Sequence, residues 1–230
     1  QVPDPRDNEG LLPGGGILFN STRCVQIVDC WWTEVSNLYM CDEDGQNIIR
    51  LTFDQVHTNY PTVTHDGRVL YTRWEYNDRG QLFPQPLFQM NADGTNQREY
   101  YGNNSWFPTT IIHARSIPDS IRVMAIATGH HTLQVGKPIL IDPSRGRQEA
   151  SGIEMLAPRG PAEAVRVDMW GQDGPQSKYP YPISEEDFLI CHDPLSGQRD
   201  QRFRLYWMDA DGRREVLAAL PDGDINRPVP

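Results

Sequence analysis

One phrase recurs along this chain, and internal repetition at a fixed period limits the possible folds more than any composition does. Residues 38–47 read LYMCDEDGQN, residues 87–96 read LFQMNADGTN and residues 205–214 read LYWMDADGRR, with a degenerate copy, ILIDPSRG, at 139–146. In each, apolar residues alternate as they do in a half-buried strand. An Asp-Gly step then supplies the positive φ of a hairpin turn. A second strand follows: NIIRLTF after the first copy, NQREYYG after the second, REVLAAL after the last. The unit is therefore strand–turn–strand.

A second phrase precedes each copy: PGGGILFNSTR at 13–23, HDGRVLYTR at 65–73, RVMAIAT at 122–128 and FLICH at 188–192. Gly45, Gly94, Gly146 and Gly212 follow one another at intervals of 49, 52 and 66 residues. Ile17, Val69, Val123 and Phe188, which mark the preceding strands, are spaced at 52, 54 and 65. Two independent landmarks drift together, and a period near 50 is that of a β-propeller blade. The spacing predicts an all-β chain: a β-propeller of about four blades of four-stranded antiparallel sheet, near 14–55, 60–103, 108–150 and 180–222, with an insertion at 150–180. Within that insertion 161–170 (PAEAVRVDMW) fits a helical turn and a strand equally well. A blade cannot bury both of its faces alone, and four is the lower end of closed rings. The expectation is an arc of a larger propeller.

Charge removes several classes of function. The chain has 21 basic and 31 acidic residues, a formal net charge of −10. That balance argues against nucleic acid, which needs clustered Lys and Arg, and against adhesion to anionic membranes. Apolar runs fall short of the roughly 20 residues needed to span a bilayer, so membrane insertion is not expected. The 19 Gly and 19 Pro fit a loop-rich β protein. Cys24 and Cys30 bracket the short stretch VQIVD. In an oxidising compartment such a pair bridges a hairpin, and a Cys24–Cys30 disulfide is expected, against two buried free thiols.

Few residues suggest chemistry. Arg73, Trp74, Glu75 and Tyr76 follow a strand directly and read either as a pocket wall at the propeller mouth or as a fastener between blades. Asn103 and Asn104, after Tyr101-Gly102, offer amide groups on a turn, with turn chemistry as the simpler reading. His130 and His131 follow Gly129, but neighbours on an extended chain point to opposite sides. With no third ligand in view, no metal site is expected. The phrases DEDGQN and DADGRR lack the spacing and terminal Glu of an EF-hand loop. No G-x-S-x-G, phosphate loop or H-E-x-x-H occurs, and no catalytic residue is singled out.

The stretches GGGILFNSTRC, DGRVLYTRWEYNDRG, MNADGTNQREYYGNNSWFPT, ARSIPDS and KPILIDPSRG, in that order, resemble the middle domain of the hydrazine synthase alpha-subunit family, which carries tricorn-type propeller repeats. The resemblance covers about 14–230. It implies a propeller in an exported, periplasmic or extracellular protein, set between domains that carry c-type haem. No C-x-x-C-H occurs here, so no cofactor is expected within these residues and any haem belongs to other domains. The expected function is a non-catalytic scaffold or interaction module whose partners are other domains or subunits of the same protein. Two alternatives stand beside it: part of a redox enzyme whose haem domains lie elsewhere, and a carbohydrate- or peptide-binding propeller.

Overall fold

The computed structural model describes residues 11–12, 14–28, 32–76, 83–163, 169–195 and 202–228. The repeats become four antiparallel sheets in succession. The first orders β1 (Leu11–Leu12), β2 (Gly16–Ser21), β5 (Asn37–Cys41) and β6 (Ile49–Arg50). A hairpin of β3 (Ile27–Val28) and β4 (Thr33–Glu34) is inserted between β2 and β5. The second sheet runs β7 (Thr58–Val63), β8 (Val69–Arg73), β9 (Leu87–Met90), β10 (Arg98–Tyr101). The third runs β11 (Thr110–Ser116), β12 (Val123–Thr128), β13 (Lys137–Ile141), β14 (Ile153–Met155), β15 (Gly160–Pro161). The fourth runs β16 (Gln176–Pro182), β17 (Asp187–Asp193), β18 (Arg204–Asp209), β19 (Arg214–Ala218). The ambiguous segment 161–170 thus begins as the end of a fifth strand, and its residues 164–168 lie outside the described residues.

The two repeated phrases occupy the second and third strands of each sheet, counted outward from the innermost. In the second and third sheets those strands are apolar on both faces because a sheet packs on each side. Leu18, Leu38, Val69, Tyr71, Phe88 and Met90 form the core between first and second sheets. Leu70, Leu87, Tyr101, Ile111, Ala125 and Ile139 fill the space between second and third. Ile112, Met124, Leu140, Phe188, Ile190 and Met208 do so between third and fourth. Strand packing therefore runs first to second to third to fourth, and among the described strands no comparable packing joins the fourth to the first.

The Asp-Gly turns close in one way. Gly45 N–H donates to the Asp42 carbonyl and Asp42 N–H to that of Gln46, both at 2.9 Å. The same two bonds recur at Asn91, Gly94 and Thr95, and at Asp209, Gly212 and Arg213. Only the glycine of each Asp-Gly step is left-handed, with φ of 79°, 83° and 95°. The aspartate contributes through its side chain instead: Asp44 Oδ1 accepts from Gln46 N at 3.1 Å and Asp93 Oδ1 from Thr95 N at 3.0 Å. Such side-chain bonds to the backbone two residues on are what favour Asp in turns. Gly94 has a second constraint, since a Cβ there meets the Leu51 carbonyl of the preceding sheet at 3.1 Å. The degenerate third copy does not close so tightly; its connection extends from Asp142 to Gly152, joined by a 2.8 Å bond.

Alternation of strand direction sorts the connections. The tight turns lie at one end of the stack. Strands β3 and β4, residues 74–76, 83–86 and 129–136, and the crossings after β6 and β10 lie at the other.

Candidate functional site: a central aromatic cavity

Four of the residues marked by the sequence stay together. At the loop-rich end the Trp74 ring stacks on His57 (centroids 5.5 Å apart), meets Tyr76 edge-on (5.1 Å) and leans on His130 (5.6 Å) from the third sheet. His130 in turn meets His131 edge-on at 4.4 Å. Beneath Trp74 lie Val28, Val35 and Val56. Trp74 N–H donates to the His57 carbonyl at 2.9 Å, and His57 Nδ1 accepts from Ser36 N at 3.1 Å. Trp74 and His57 thus connect the inserted hairpin of the first sheet to the second sheet and to a loop of the third.

Arg73 and Glu75 flank Trp74 and turn the other way. Arg73 Nε lies 2.8 Å from Glu75 Oε1 and 3.2 Å from Asp54 Oδ1, and its guanidinium sits over the Phe88 ring at 4.6 Å. Glu75 is buried. Its charge is compensated by Arg73, as a buried carboxylate requires.

Asn103 and Asn104 are elsewhere. Their N–H groups donate to Glu99 Oε1 (2.9 Å) and Gln148 Oε1 (3.0 Å), latching the crossing after β10 to the turn of the third sheet. The expected Cys24–Cys30 disulfide is not seen. Cys24 is a free thiol whose Sγ donates to the Val35 carbonyl at 3.2 Å, and Cys30 lies outside the described residues. The β3–β4 hairpin supplies the reason: it carries Cys24 against its far strand, so the thiol meets backbone there.

A further cavity was not singled out from the sequence. All four sheets converge on a cavity of about 550 Å³ lined by Leu18, Phe19, Asn20, Asn59, Tyr60, Pro61, Thr62, His113, Ala114, Arg115, Tyr179 and Arg227. Three of these share one conformation. Tyr60, His113 and Tyr179 each sit where the innermost strand of its sheet skips register, in β7, β11 and β16. Each is left-handed, with φ of 53°, 54° and 51°. A bulge re-aims side chains, and a non-glycine residue at such φ is held at a cost of about 1–3 kcal/mol. The three rings meet: Tyr60 edge-on to His113 at 4.6 Å, and His113 to Tyr179 at 3.9 Å.

The polar atoms of this cluster are partly matched. Tyr60 Oη donates to Gln134 Oε1 at 2.9 Å, and burial raises its hydroxyl to about 12. His113 Nδ1 accepts from Tyr179 N at 3.4 Å. Burial, followed by the positive charges of Arg227 and Lys178, lowers His113 to about 3, so the ring is neutral with its proton on Nε2. That Nε2 is buried without a partner. Arg227 lies over the Tyr179 ring at 5.5 Å. A periodic signal existed: Tyr60, His113 and Tyr179 fall nine or ten residues before Val69, Val123 and Phe188.

Among the described residues no three His, Cys, Asp or Glu side chains gather as a metal site. The one Cys-His step, Cys191-His192, has Phe188 where a haem-attachment motif puts its first cysteine, and both residues are buried in β17. These residues do not fit a c-type haem.

No protein-family model matches the sequence, and no curated protein is similar to it. Solved structures are. Hydrazine synthase from Kuenenia stuttgartiensis superposes with a TM-score of 0.65 at 18% identity, over 94% of this chain and 28% of that one. TolB from Acinetobacter baumannii gives 0.56 at 15% identity, over 95% and 45%. A TolB candidate from Agrobacterium tumefaciens gives 0.58 at 17% identity, over 93% and 65%. The chain thus spans between 28% and 65% of the structures it resembles. At these identities the likeness speaks to architecture alone, and the architecture is that of a β-propeller.

Proposed function

We propose that this chain is a scaffold and interaction propeller of an exported protein related to the hydrazine synthase alpha middle domain, and that it holds other domains or subunits of the same protein. The observation that carries the reading is the pair of outward sheet faces. On the fourth sheet Leu189 and Trp207 are cross-strand partners and half-buried, with no sheet packed over them among the described residues. All five residues of β19 are exposed, Val216 and Leu217 among them. On the first sheet Ile17 and Phe19 are half-buried, and Arg23 lies over the stacked Phe19 and Tyr39 rings. In a propeller each such face is covered by a neighbouring sheet, and apolar patches of this kind mark interaction surfaces.

Hydroxyl-radical footprinting of the protein at its natural length tests this. Trp32, which is 79% exposed on the inserted hairpin, serves as the reference. Trp207 should be oxidised far more slowly in the natural-length protein than in the isolated chain, with Trp32 unchanged. Equal labelling of Trp207 in both would mean that the face stays bare, and the scaffold reading would fail.

A further inference from the structure

The central cavity has a chemical bias that the chain as a whole lacks. The protein has ten more acidic than basic residues, yet no carboxylate lines the cavity, and Arg115 and Arg227 do. The Arg227 guanidinium has no carboxylate partner among the described residues. The unpartnered Nε2–H of His113 adds a buried donor without an acceptor, which is unfavourable when left unmet. Between these groups the walls combine Leu18, Phe19, Pro61 and the rings of Tyr60 and Tyr179 with the polar side chains of Asn20, Asn59 and Thr62. Three of the lining aromatics are held at a strained backbone conformation, each in the innermost strand of its sheet. Strain repeated at one place in successive sheets points to a requirement of the site rather than of the packing.

We infer that the cavity binds a small organic carboxylate, its charged group paired by Arg227 within the field of Arg115 and its planar or aliphatic body laid against the rings of Tyr60, His113 and Tyr179. The volume fits a ligand of that kind, since small-molecule sites run from about 300 to 1,000 Å³. A bare inorganic anion is the poorer fit. It buries none of the apolar wall, and no glycine lines the cavity to let backbone N–H groups close on it. Arg suits a carboxylate through its paired N–H groups.

The test is isothermal titration of the natural-length protein with three probes: 3-phenylpropionate, its neutral amide, and inorganic phosphate. The carboxylate should bind, with the amide and phosphate each weaker by at least about tenfold. Arg227→Gln should weaken the carboxylate by a similar factor. Arg227 is exposed, so its removal leaves the fold intact. Arg115→Gln gives a second reading of the same field, and Arg68→Gln, in the tight turn before β8, should change nothing. Binding of the amide as tight as the carboxylate, binding of phosphate as tight as the carboxylate, an unchanged affinity in Arg227→Gln, or no binding of 3-phenylpropionate at millimolar concentration would each overturn the inference.

Discussion

Mild acid should destabilise this protein well above the range where carboxylates titrate. His113 and His192 are 7% and 5% exposed, and both are held neutral. Burial first, then Arg227 and Lys178, lower His113 to about 3. Burial first, then Arg214 and Lys137, lower His192 to about 4, and its Nδ1 lies 2.9 Å from Ser177 Oγ. In the unfolded chain both return to about 6.5. Between those values the unfolded state binds the proton and the native state does not, so stability is full above about pH 6.5 and falls as pH drops. By about pH 5 each histidine costs about 2 kcal/mol, and together about 4 kcal/mol. That is a large share of the 5–15 kcal/mol typical of a domain. Urea unfolding at about pH 7.5 and about pH 5 reads the loss directly as a shift in midpoint. His113→Gln and His192→Gln should each remove about 2 kcal/mol of the pH dependence, whatever they do to stability at neutral pH. A midpoint that holds steady or rises toward pH 5 would show that these rings are protonated in the native protein.

Three further outcomes follow from the geometry. Gly45→Ala and Gly94→Ala remove glycines of matching φ from matching turns, but only at Gly94 does a Cβ meet a neighbour, so the first should cost about 1 kcal/mol and the second about 2–4 kcal/mol. Equal losses in urea unfolding would rule out the close approach to Leu51. Trp74→Ala should cost about 2–3 kcal/mol and open the β3–β4 hairpin to limited proteolysis ahead of the third and fourth sheets; a cleavage pattern like the parent's would mean the ring fastens nothing. Iodoacetamide without reductant should label Cys24 in the native protein faster than Cys41 and Cys191, which are buried, the latter with its thiol raised to about 11. Recovery of Cys24 in a disulfide-linked peptide would contradict the free thiol.

The middle strands were legible because they are the apolar ones, punctuated by glycine turns whose spacing could be counted. The innermost strands were not. TNYPTV and QSKYPYP mix polar residues, tyrosine and proline, TIIHARS carries His and Arg in its second half, and a proline inside a strand ordinarily argues against one. Here Pro61 and Pro180 directly follow the bulged Tyr60 and Tyr179, where the ladder is already broken. The Arg73–Tyr76 cluster could be seen because its members are adjacent in sequence. That His57 and His130 pack against it could not, since stacking between sheets leaves no local trace. The cavity draws on residues from Leu18 to Arg227, and only the assembled sheets bring Arg227 against Tyr179. Cys24 and Cys30 misled for a similar reason, because proximity in sequence says nothing of where a hairpin turns the thiol.

The open order of the four sheets has a consequence for how the molecule comes apart. Among the described residues the second and third sheets are each clamped on both sides, whereas the first and fourth are held on one. Such an array behaves as a line of coupled units with no closing bond, and its opening free energy should grade from the terminal sheets inward. Amide exchange would then release β18 and β19 long before β12, and the chain would unzip from its flanks instead of melting as a ring.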